Sequence, residues 1–597
     1  MEQRKPDSRK LCALLFVIIT ILQTAFLIGV FTLKKTGYHE DEFFTYGLSN
    51  SYMHPYLYGS DLQVTDNYDV WMTGDDFKYY IRTNSDTKFR YDSVWYNQAK
   101  DTNPPLHYAI IHTISSVMCE KFSWWYAFAV NLVCFWVFQL CFYLLNIQIC
   151  RSRKAALAVC AFYGFTLAGQ GLFLFLRLYA MLAMFTVLYT VCSFRLFRAE
   201  PFRLRDGMTV AGAALGGALT QHLFLPFAFF ITALECVYFL LKKEWKKMWG
   251  YGLSAAAGIG LSFAVFPQAF QHIFHSRFQY SKEPDFRAQV PKLASDALKS
   301  LTGTTVRRIW SVFTLYVIPV LIIAAVFIPV LFLFRKKISA LLAARKTEQP
   351  RRKSGIRPEC WILPVSAAAC FLIISGKFLY AEFGDDSIRY IYHLIPLFLS
   401  FFAWIGCCIC RLPRRRIAKL LCGGLCLAVL CASGIVQNLR YDPQYVIDAE
   451  LDRGRISEYT AGQNCILLNN SSVYLPIYCQ MLEDAGDIYG TLLEEDHYRK
   501  PKLIPEYQKL FDRNEPFILV FDVTILFDDD FYDSPSEDDS FDALLKPAML
   551  EKYGDHWTRK EIVSYFEQLS GYTAEYCTAE TSHLNQIEAY RFTPKKT

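Results

Sequence analysis

Apolar runs of roughly 20 residues recur along the first 437 positions of the chain, and they constrain its fold more than any other feature. A helix of that length crosses the ~30 Å hydrocarbon core of a bilayer. The first run, Leu11–Leu33, follows basic residues as the core of a signal peptide does. Its length, and the lack of a small-residue cleavage pattern after it, favour a retained helix. A composition of 53% hydrophobic and 20% charged residues fits a membrane protein.

The net charge of +6 comes from basic clusters that lie between the apolar runs, and it does not indicate nucleic-acid binding. Cytoplasmic loops of membrane proteins are enriched in Lys and Arg. Placing every cluster on the cytoplasmic side gives a consistent threading with a cytoplasmic N-terminus. The clusters are Arg4 to Lys10, Arg151 to Lys154, Arg195 to Arg205, Lys242 to Lys247, Arg335 to Arg357 and Arg411 to Lys419.

This threading predicts a polytopic α-helical membrane protein of about eleven transmembrane helices, with a C-terminal extracytoplasmic α/β domain. Segment 207–221 is short and glycine-rich. If it does not cross the membrane, the number of transmembrane helices becomes even. The predicted domains are 1–437, which contains the first outer loop 34–122 with its juxtamembrane helices, and 438–597. The predicted crossings are 11–33, 123–148, 155–175, 178–198, 207–221, 223–241, 249–269, 310–335, 360–376, 390–410 and 417–437.

The tail, 438–597, is long enough to be a domain of its own. Apolar segments predict buried strands at Asn464–Asn470 and Pro516–Asp522 and a closing strand at 587–593. Helical spacing appears in 473–484 and 559–570.

Two features of the tail leave alternatives open. The acidic segment 527–542 fits a solvated loop better than a calcium site, because it lacks the twelve-residue calcium-loop spacing. A disulfide can form among Cys465, Cys479 and Cys577, although their pairing cannot be assigned. Most of the other cysteines lie in apolar runs, where a thiol acts as a small hydrophobe.

Three consecutive acids follow the first apolar run, in the stretch YHEDEFFTYGLSNS. Acids in a polar loop are one interpretation of His39, Glu40, Asp41 and Glu42. The other is a general base, because a carboxylate beside apolar walls can take a proton from a hydroxyl.

A second element of the outer loop, DTNPPLHYAIIHTISS, carries a double proline and an apolar helix too short to span. We expect this helix to lie in the interface or to re-enter the membrane. The aromatic residues between the two elements fit either sugar stacking or the ordinary interfacial belt. They are Tyr52, Tyr56, Tyr58, Tyr68, Trp71, Tyr79, Tyr80, Trp95 and Tyr96.

An acidic Asp-Glu after the first helix, an aromatic outer loop and a Pro-Pro-Leu-x-Tyr segment together resemble the GT-C fold of membrane glycosyltransferases. The likeness is to family 39 and its relatives, the protein O-mannosyltransferases and the aminoarabinose transferases of lipid A. It covers roughly residues 10–440. Three further stretches fit it: FLRLYAMLAMF (175–185), LTQHLFLPFAFF (219–230) and DDSIRYIYHLIP (385–396).

The resemblance implies transfer of a sugar from a polyprenyl phosphate to an acceptor hydroxyl on the outer side, usually with inversion. Asp41 is then the general base, and Glu42 orients the base or the acceptor. The departing lipid phosphate requires cations where its charge develops. The residues implied for that role are Arg177, Arg389, Lys377 and His393.

The chain departs from the family pattern at two places. Asn103 stands where several relatives have His before the double proline, and Phe175 and Leu176 stand where many have an acid. A second carboxylate would then come from Glu382 or Asp385, or Glu40 would share the base role. Further residues implied for the acceptor side or the cavity are His39, His107, Tyr108, Tyr179, His222 and Tyr390.

No cofactor is predicted, because the sequence has no metal-ligand spacing, no P-loop and no dinucleotide fingerprint. A divalent ion at the acids around Asp41 ranks below metal-free catalysis. The implied partners are a lipid-linked sugar donor, the bilayer, and an acceptor glycan, lipid or protein. The implied location is a plasma membrane, of bacterial type.

Three other function classes stay open. A transporter would be favoured by charges in the middles of helices, and the apolar runs carry almost none. A non-enzymatic receptor or assembly protein would work through the tail. A lipid-linked-oligosaccharide ligase would use the outer loop 270–309, which contains His272, His275, Arg277 and Arg287.

Overall fold

The computed structural model describes most of the chain, and statements about structure below refer to those residues. They are 8–57, 70–274, 357–374, 384–411, 416–440, 443, 445–446, 455–469, 472–492, 505–523, 558–582 and 585–595. The predicted crossing 310–335, the acidic segment 527–542 and loop residues beyond 274 lie outside them.

The described elements are helices in the first three quarters of the chain and a sheet with short helices in the rest. The α-helices are α1 Ser8–Leu33, α2 Glu40–Asn50, α3 Gly74–Ile81, α4 Tyr91–Lys100, α5 Leu106–Val117, α6 Trp125–Cys150, α7 Arg153–Tyr163, α8 Leu167–Leu174, α9 Tyr179–Arg198, α10 Leu204–Thr220, α11 Phe224–Leu241, α12 Trp245–Val265, α13 Gln268–Phe274, α14 Pro358–Ile374, α15 Ile395–Arg411, α16 Arg416–Arg440, α17 Ile456–Thr460, α18 Cys479–Leu482, α19 Pro505–Phe511 and α20 Arg559–Ser570. The 3-10 helices are Gly384–Ile391 and Ser472–Tyr478. The strands are β1 Val70–Thr73, β2 Asn464–Asn469, β3 Asp487–Leu492, β4 Phe517–Asp522, β5 Thr573–Ser582 and β6 Asn585–Thr593.

The chain divides into two compact units, which are described separately. The first, called the helical unit, comprises Met1–Val30, Thr102–His107 and Ala127–Gln444. The second, called the mixed unit, comprises Phe31–Asp101, Tyr108–Tyr126 and Tyr445–Thr597.

Six described helices are long and apolar enough to cross a membrane, so the chain is a multi-pass membrane protein. They correspond to six of the predicted crossings. A seventh span is possible if the bent pair α7 and α8 counts as one, and α14 and α15 are shorter apolar helices. The six are Arg9–Leu33, Trp125–Cys150, Tyr179–Arg198, Phe224–Leu241, Trp245–Val265 and Leu421–Leu439.

The predicted count of eleven is not confirmed, and two predicted crossings differ from the structure. Segment 155–175 is bent by 64° between α7 and α8. The bend arises because Gly164 ends α7, and the Thr166 hydroxyl then starts α8 by accepting the Gly169 N–H at 3.1 Å. Segment 207–221 becomes α10, whose 17 residues fall short of the length of the six candidate spans.

Arginines from distant parts of the sequence converge on the C-terminal end of α6. Arg198 and Arg357 each donate to the Gln148 carbonyl at 3.0 Å, and Arg411 donates to the Cys150 carbonyl. The last carbonyls of a helix lack partners within it and attract cations. Three of the basic clusters therefore lie at one end of the helical unit, as a shared membrane side requires.

Among the described residues, a carboxyl group is buried inside a candidate span, and the sequence prediction of nearly charge-free runs did not single it out. Glu235 of α11 is fully buried and accepts a hydrogen bond from Ser193 at 2.9 Å. The Ser193 hydroxyl lies 2.6 Å from the Tyr251 hydroxyl. The carboxyl group is thus held by a hydroxyl network between α9, α11 and α12.

The mixed unit is built on a six-stranded sheet in the order β1-β3-β2-β4-β6-β5. Strands β3, β2 and β4 are parallel, and β4, β6 and β5 are antiparallel. The edge strand β1 comes from the first outer loop and pairs antiparallel with β3, with Trp71 opposite Tyr489. Buried side chains such as Phe517, Phe566 and Phe592 fill the core below the sheet.

The apolar segments of the tail correctly located β2, β4 and β6, and its helical spacing correctly located α20. Segment 473–484 is not one helix but a 3-10 helix followed by the single turn α18. Pro476 lies inside the 3-10 helix, where it has no N–H to donate to an α-helical ladder. Strands β1, β3 and β5 were not predicted. Cys465, Cys479 and Cys577 are free thiols.

We expect Gly74→Ala to weaken the attachment of β1. A Cβ at this position would lie 2.6 Å from the Ala485 carbonyl oxygen and 2.9 Å from its backbone nitrogen, so backbone must shift. The expected loss is on the order of 1–3 kcal/mol, measured by thermal unfolding of the purified protein, with faster tryptic cleavage at Lys78 and Arg82.

The matched control is Gly260→Ala in α12, where a Cβ meets nothing within 4 Å. This change should leave the unfolding temperature unchanged or raise it slightly, because alanine favours helix over glycine. Equal behaviour of the two variants would contradict the close approach of Gly74 to Ala485.

Candidate active site

The three acids after α1 form the first turn of α2. His39 precedes the helix, and its Nδ1 accepts the Asp41 N–H at 3.0 Å. The Glu42 carboxylate accepts the His39 N–H at 2.9 Å, which completes a capping box. Acids at a helix N-terminus are favoured by the helix dipole, so this local sequence encodes a stable helix start.

Glu42 is held by a buried ion pair. Its Oε2 lies 2.9 Å from Lys35 Nζ, and both side chains are fully buried. Lys35 donates a second hydrogen bond to the Tyr445 carbonyl at 2.6 Å. Burial lowers the pKa of Lys35, and the Glu42 carboxylate partly opposes that effect. Glu42 therefore acts as a positioning residue for the acid turn.

Asp41 and Glu40 are less enclosed than Glu42. Both are half-buried, and Glu40 Oε2 lies 3.1 Å from His39 Nδ1. Because that nitrogen already accepts the Asp41 N–H, it cannot also donate to Glu40 while His39 is neutral. The geometry thus divides the acids into one buried structural carboxylate and two that remain partly accessible.

Aromatic rings enclose the start of α2. Tyr38 stacks on Trp124 at 3.8 Å between ring centroids, and Phe43 and Tyr46 meet the same indole edge to face. Tyr46 donates to the Ser123 carbonyl at 2.9 Å. Burial and then the Glu42 charge raise the pKa of Tyr38, so its hydroxyl stays neutral. The apolar flank of the acids is therefore packed within the mixed unit.

In the helical unit, Arg177 lies at the break between α8 and α9. Asn131 of α6 donates to the carbonyls of Phe173 and Phe175, at 3.1 and 2.8 Å, and so fixes the end of α8. Arg177 follows at once and is 7% exposed. Tyr179, the first residue of α9, stacks on Phe175.

Tyr390 joins Arg389 to this region. The Tyr390 ring meets the Tyr179 ring edge to face, with 6.2 Å between centroids. The Arg389 guanidinium lies over the Tyr390 ring at 5.3 Å. The structure thus brings together the segments that carry Arg177 and Arg389. We call Arg177, Tyr179, Arg389 and Tyr390, with His107, the arginine cluster.

Segment 102–107 contributes to this cluster and to a neighbouring polar group. Burial and then the Arg177 charge lower the pKa of His107 to about 3, so its imidazole is neutral at pH 7. Asn103 accepts a hydrogen bond from Gln221 at 2.9 Å, and Gln221 accepts the His222 N–H at 2.7 Å. The His222 ring lies 5.8 Å from that of His272 in α13.

The remaining predicted site residues are placed as follows. Tyr108 and His393 are buried. Asp385 belongs to the 3-10 helix Gly384–Ile391, but only its backbone is described. Lys377 and Glu382 lie outside the described residues.

Sequence reasoning missed four residues that shape these groups: Lys35, Trp124, Asn131 and Gln221. Lys35 follows the end of α1, where basic flanking residues are common. Asn131 and Gln221 act through side-chain hydrogen bonds to segments distant in the sequence, and such bonds leave no periodic signal. A polar amide inside or next to an apolar run was the available clue.

No family model matches the chain, and no curated protein matches its sequence. Among solved structures, the chain is similar to ArnT from Cupriavidus metallidurans bound to undecaprenyl phosphate, with 11% identity, a TM-score of 0.43 and coverage of 97% of each chain. It is also similar to ArnT from the same organism in the apo state, with 11% identity, a TM-score of 0.39 and coverage of 95% of this chain and 97% of that one.

We expect Glu42→Gln to destabilise the mixed unit by about 3–5 kcal/mol, because it leaves the buried Lys35 cation without its carboxylate. Thermal and denaturant unfolding of the purified protein would measure this loss. The matched control is Asp76→Asn. Asp76 occupies the same third position of α3 and accepts the Thr73 N–H at 2.8 Å, but it is exposed.

Asp76→Asn should cost only about 1 kcal/mol, the usual effect of a weakened cap. Similar losses in the two variants would show that Glu42 serves only as a cap and that its pairing with Lys35 adds nothing.

Proposed function

We propose that this protein is a membrane glycosyltransferase that moves a sugar from a polyprenyl phosphate to an acceptor hydroxyl on the extracytoplasmic side. The observation that carries the proposal is the division of the acid turn. Glu42 is locked into the ion pair with Lys35, and Asp41 next to it remains half-buried at a rigid helix start. A general base needs a fixed position, and it must be accessible to the hydroxyl group whose proton it takes.

Asp41 takes the proton of the acceptor hydroxyl as the hydroxyl oxygen attacks the anomeric carbon. The bond between that carbon and the phosphate oxygen breaks in the same displacement, so the sugar configuration inverts. The products are the glycosylated acceptor and the lipid phosphate. The Asp41 proton returns to solvent.

Arg177 and Arg389 bind the lipid phosphate and stabilise the charge that it gains on departure. Arginine suits this role because its planar guanidinium donates two parallel hydrogen bonds to a phosphate. The ring of Tyr390 supports the Arg389 guanidinium, and Asn131 fixes the segment before Arg177. His107, neutral at pH 7, contributes hydrogen bonds but no charge. Lys377 and His393 are proposed as further phosphate contacts.

The acceptor is a glycan, a lipid or a protein, held near Asp41 by residues such as Glu40 and His39. Tyr108, Asn103 and His222 are proposed to line the cavity, and a carboxylate from Glu382 or Asp385 assists. The proposed location is a bacterial plasma membrane, with the N-terminus cytoplasmic and residues 438–597 extracytoplasmic. These residues fit metal-free catalysis, because side chains alone supply both the general base, Asp41, and the cations that bind the phosphate, Arg177 and Arg389.

A second candidate, a transporter, is favoured by Glu235. An ionisable residue inside a membrane helix is commonly part of an ion or substrate pathway. Glu235 is fully buried in α11 and bonded to Ser193. Consumption of a lipid-linked sugar distinguishes the two candidates, because a transporter would move a solute without transferring a glycosyl group.

The deciding experiment supplies membranes containing the protein with radiolabelled polyprenyl-phosphate sugars and compares wild type with Asp41→Asn. We expect turnover to fall by about 10²–10⁴-fold while donor binding is kept, because only the base is removed. Asp75→Asn is the matched control, since Asp75 holds the second position of α3 as Asp41 does in α2, and it is exposed. Full activity in Asp41→Asn would move the base role to Glu40.

The same assay tests the arginine cluster. Arg389→Ala should weaken donor binding roughly 10- to 100-fold, because a charged hydrogen bond to the phosphate is lost. Arg195→Ala, near the end of α9, is the control and should bind donor normally; Arg195 is half exposed and pairs with Asp206 at 3.3 Å. Gradient-driven solute movement without consumption of any lipid-linked sugar would favour the transporter.

A further inference from the structure

Three thiols meet where α15 and α16 pack against each other. Cys410 lies in the last turn of α15, and Cys422 and Cys426 lie one turn apart on one face of α16. The Cys410 sulfur is 3.5 Å from that of Cys422 and 3.8 Å from that of Cys426. All three sulfurs lie within 4.8 Å of one another.

These separations suit metal coordination. Thiolates bound to zinc at ~2.3 Å in tetrahedral geometry are ~3.8 Å apart, because that distance is the edge of the coordination tetrahedron. The Cys410–Cys422 separation of 3.5 Å lies slightly below this edge, and the Cys410–Cys426 separation of 3.8 Å matches it. An ion could therefore bind with small side-chain adjustments and without moving either helix.

The donor set selects the class of ion. Among the described residues, the cluster consists of three thiols and contains no His, Asp or Glu side chain. Such a soft donor set prefers Zn²⁺ or Cu⁺ to Mg²⁺ or Ca²⁺. Cys422 is 5% exposed, and Cys410 and Cys426 are half-buried, so the site is shielded but reachable. Arg411 follows Cys410 directly and supplies a positive charge near the bound thiolates.

The basic residues around the site also bear on its redox state. Arg411 belongs to the basic group that converges on the end of α6, and the charge pattern predicts a cytoplasmic location for it. Thiols on that side are kept reduced, and clustered cysteines in reducing compartments more often bind metal than form disulfides.

We propose that Cys410, Cys422 and Cys426 form a binding site for one thiophilic d10 cation, Zn²⁺ or Cu⁺. Binding releases the protons of those thiols that are protonated beforehand, up to three per ion, and forms three metal–sulfur bonds. The site is separate from the acid turn and the arginine cluster, and it stands whether or not the protein transfers sugars. Its effect is to fasten α15 to α16, because an ion that binds only the folded protein stabilises it.

Cobalt titration of the purified full-length protein, reduced and freed of metal, tests the site directly. We expect one Co²⁺ per chain with thiolate-to-cobalt charge-transfer absorption, displaced by Zn²⁺. Cu⁺ binding is measured separately by competition with a chromophoric chelator. Cys422→Ser should weaken metal binding on the order of 100-fold or more, because it removes one of only three metal–sulfur bonds. Zn²⁺ should raise the unfolding temperature of wild type but not of Cys422→Ser.

Cys431→Ser is the matched control, since Cys431 is an exposed thiol of the same helix outside the cluster. It should bind metal as wild type does. A second measurement needs no variant: Zn²⁺ should protect Cys410, Cys422 and Cys426 from alkylation and leave Cys431 reactive.

Equal metal affinity in Cys422→Ser and Cys431→Ser would overturn the proposal, as would unchanged alkylation of the three thiols when Zn²⁺ is added. A disulfide between two of them, found by mass spectrometry in cells alkylated before lysis, would overturn it as well.

Discussion

The buried ion pair between Lys35 and Glu42 determines the geometry of the acid turn. Two charges removed from water are stable only when they satisfy each other and their remaining hydrogen bonds. Here Glu42 also accepts the His39 N–H, and Lys35 also donates to the Tyr445 carbonyl. One contact thus fixes the end of the first membrane helix, the start of α2 and the beginning of the tail. The position of Asp41 follows from it, because Asp41 is the residue before Glu42 on the same rigid turn.

The arginine cluster depends on a different kind of constraint. Its two cations come from segments about 210 residues apart: Arg177 lies between α8 and α9, and Arg389 lies in the 3-10 helix that precedes α15. Helix breaks near a membrane expose backbone groups that need partners, which Asn131 supplies before Arg177. Segment 102–107 approaches this cluster through His107, which lies near Arg177. The same segment is bonded to the α10–α11 turn, because Asn103 accepts a hydrogen bond from Gln221. Polar residues at helix ends therefore do most of the positioning.

Hydropathy located the long helices well, because the need to cover about 20 residues of hydrocarbon leaves an unmistakable run. It could not show that 155–175 bends, since the bend depends on two small residues, Gly164 and Thr166. It also treated the cysteines of α15 and α16 as packing residues, because Cys410 is twelve positions from Cys422 and only their helix pairing brings them together. The run of acids drew attention to Asp41 and Glu42, but the ion-pair partner of Glu42, Lys35, carried no pattern that distinguished it from a flanking charge.

Strand β1 has a consequence for the order in which the protein is made. Its partner β3 is translated about 400 residues later, so the ribosome takes roughly 20–80 s to supply it at about 5–20 residues per second. During that interval the backbone N–H and C=O groups of β1 that later pair with β3 can form hydrogen bonds only with water. A ribosome that stalls before residue 487 would leave β1 without the strand that pairs with it.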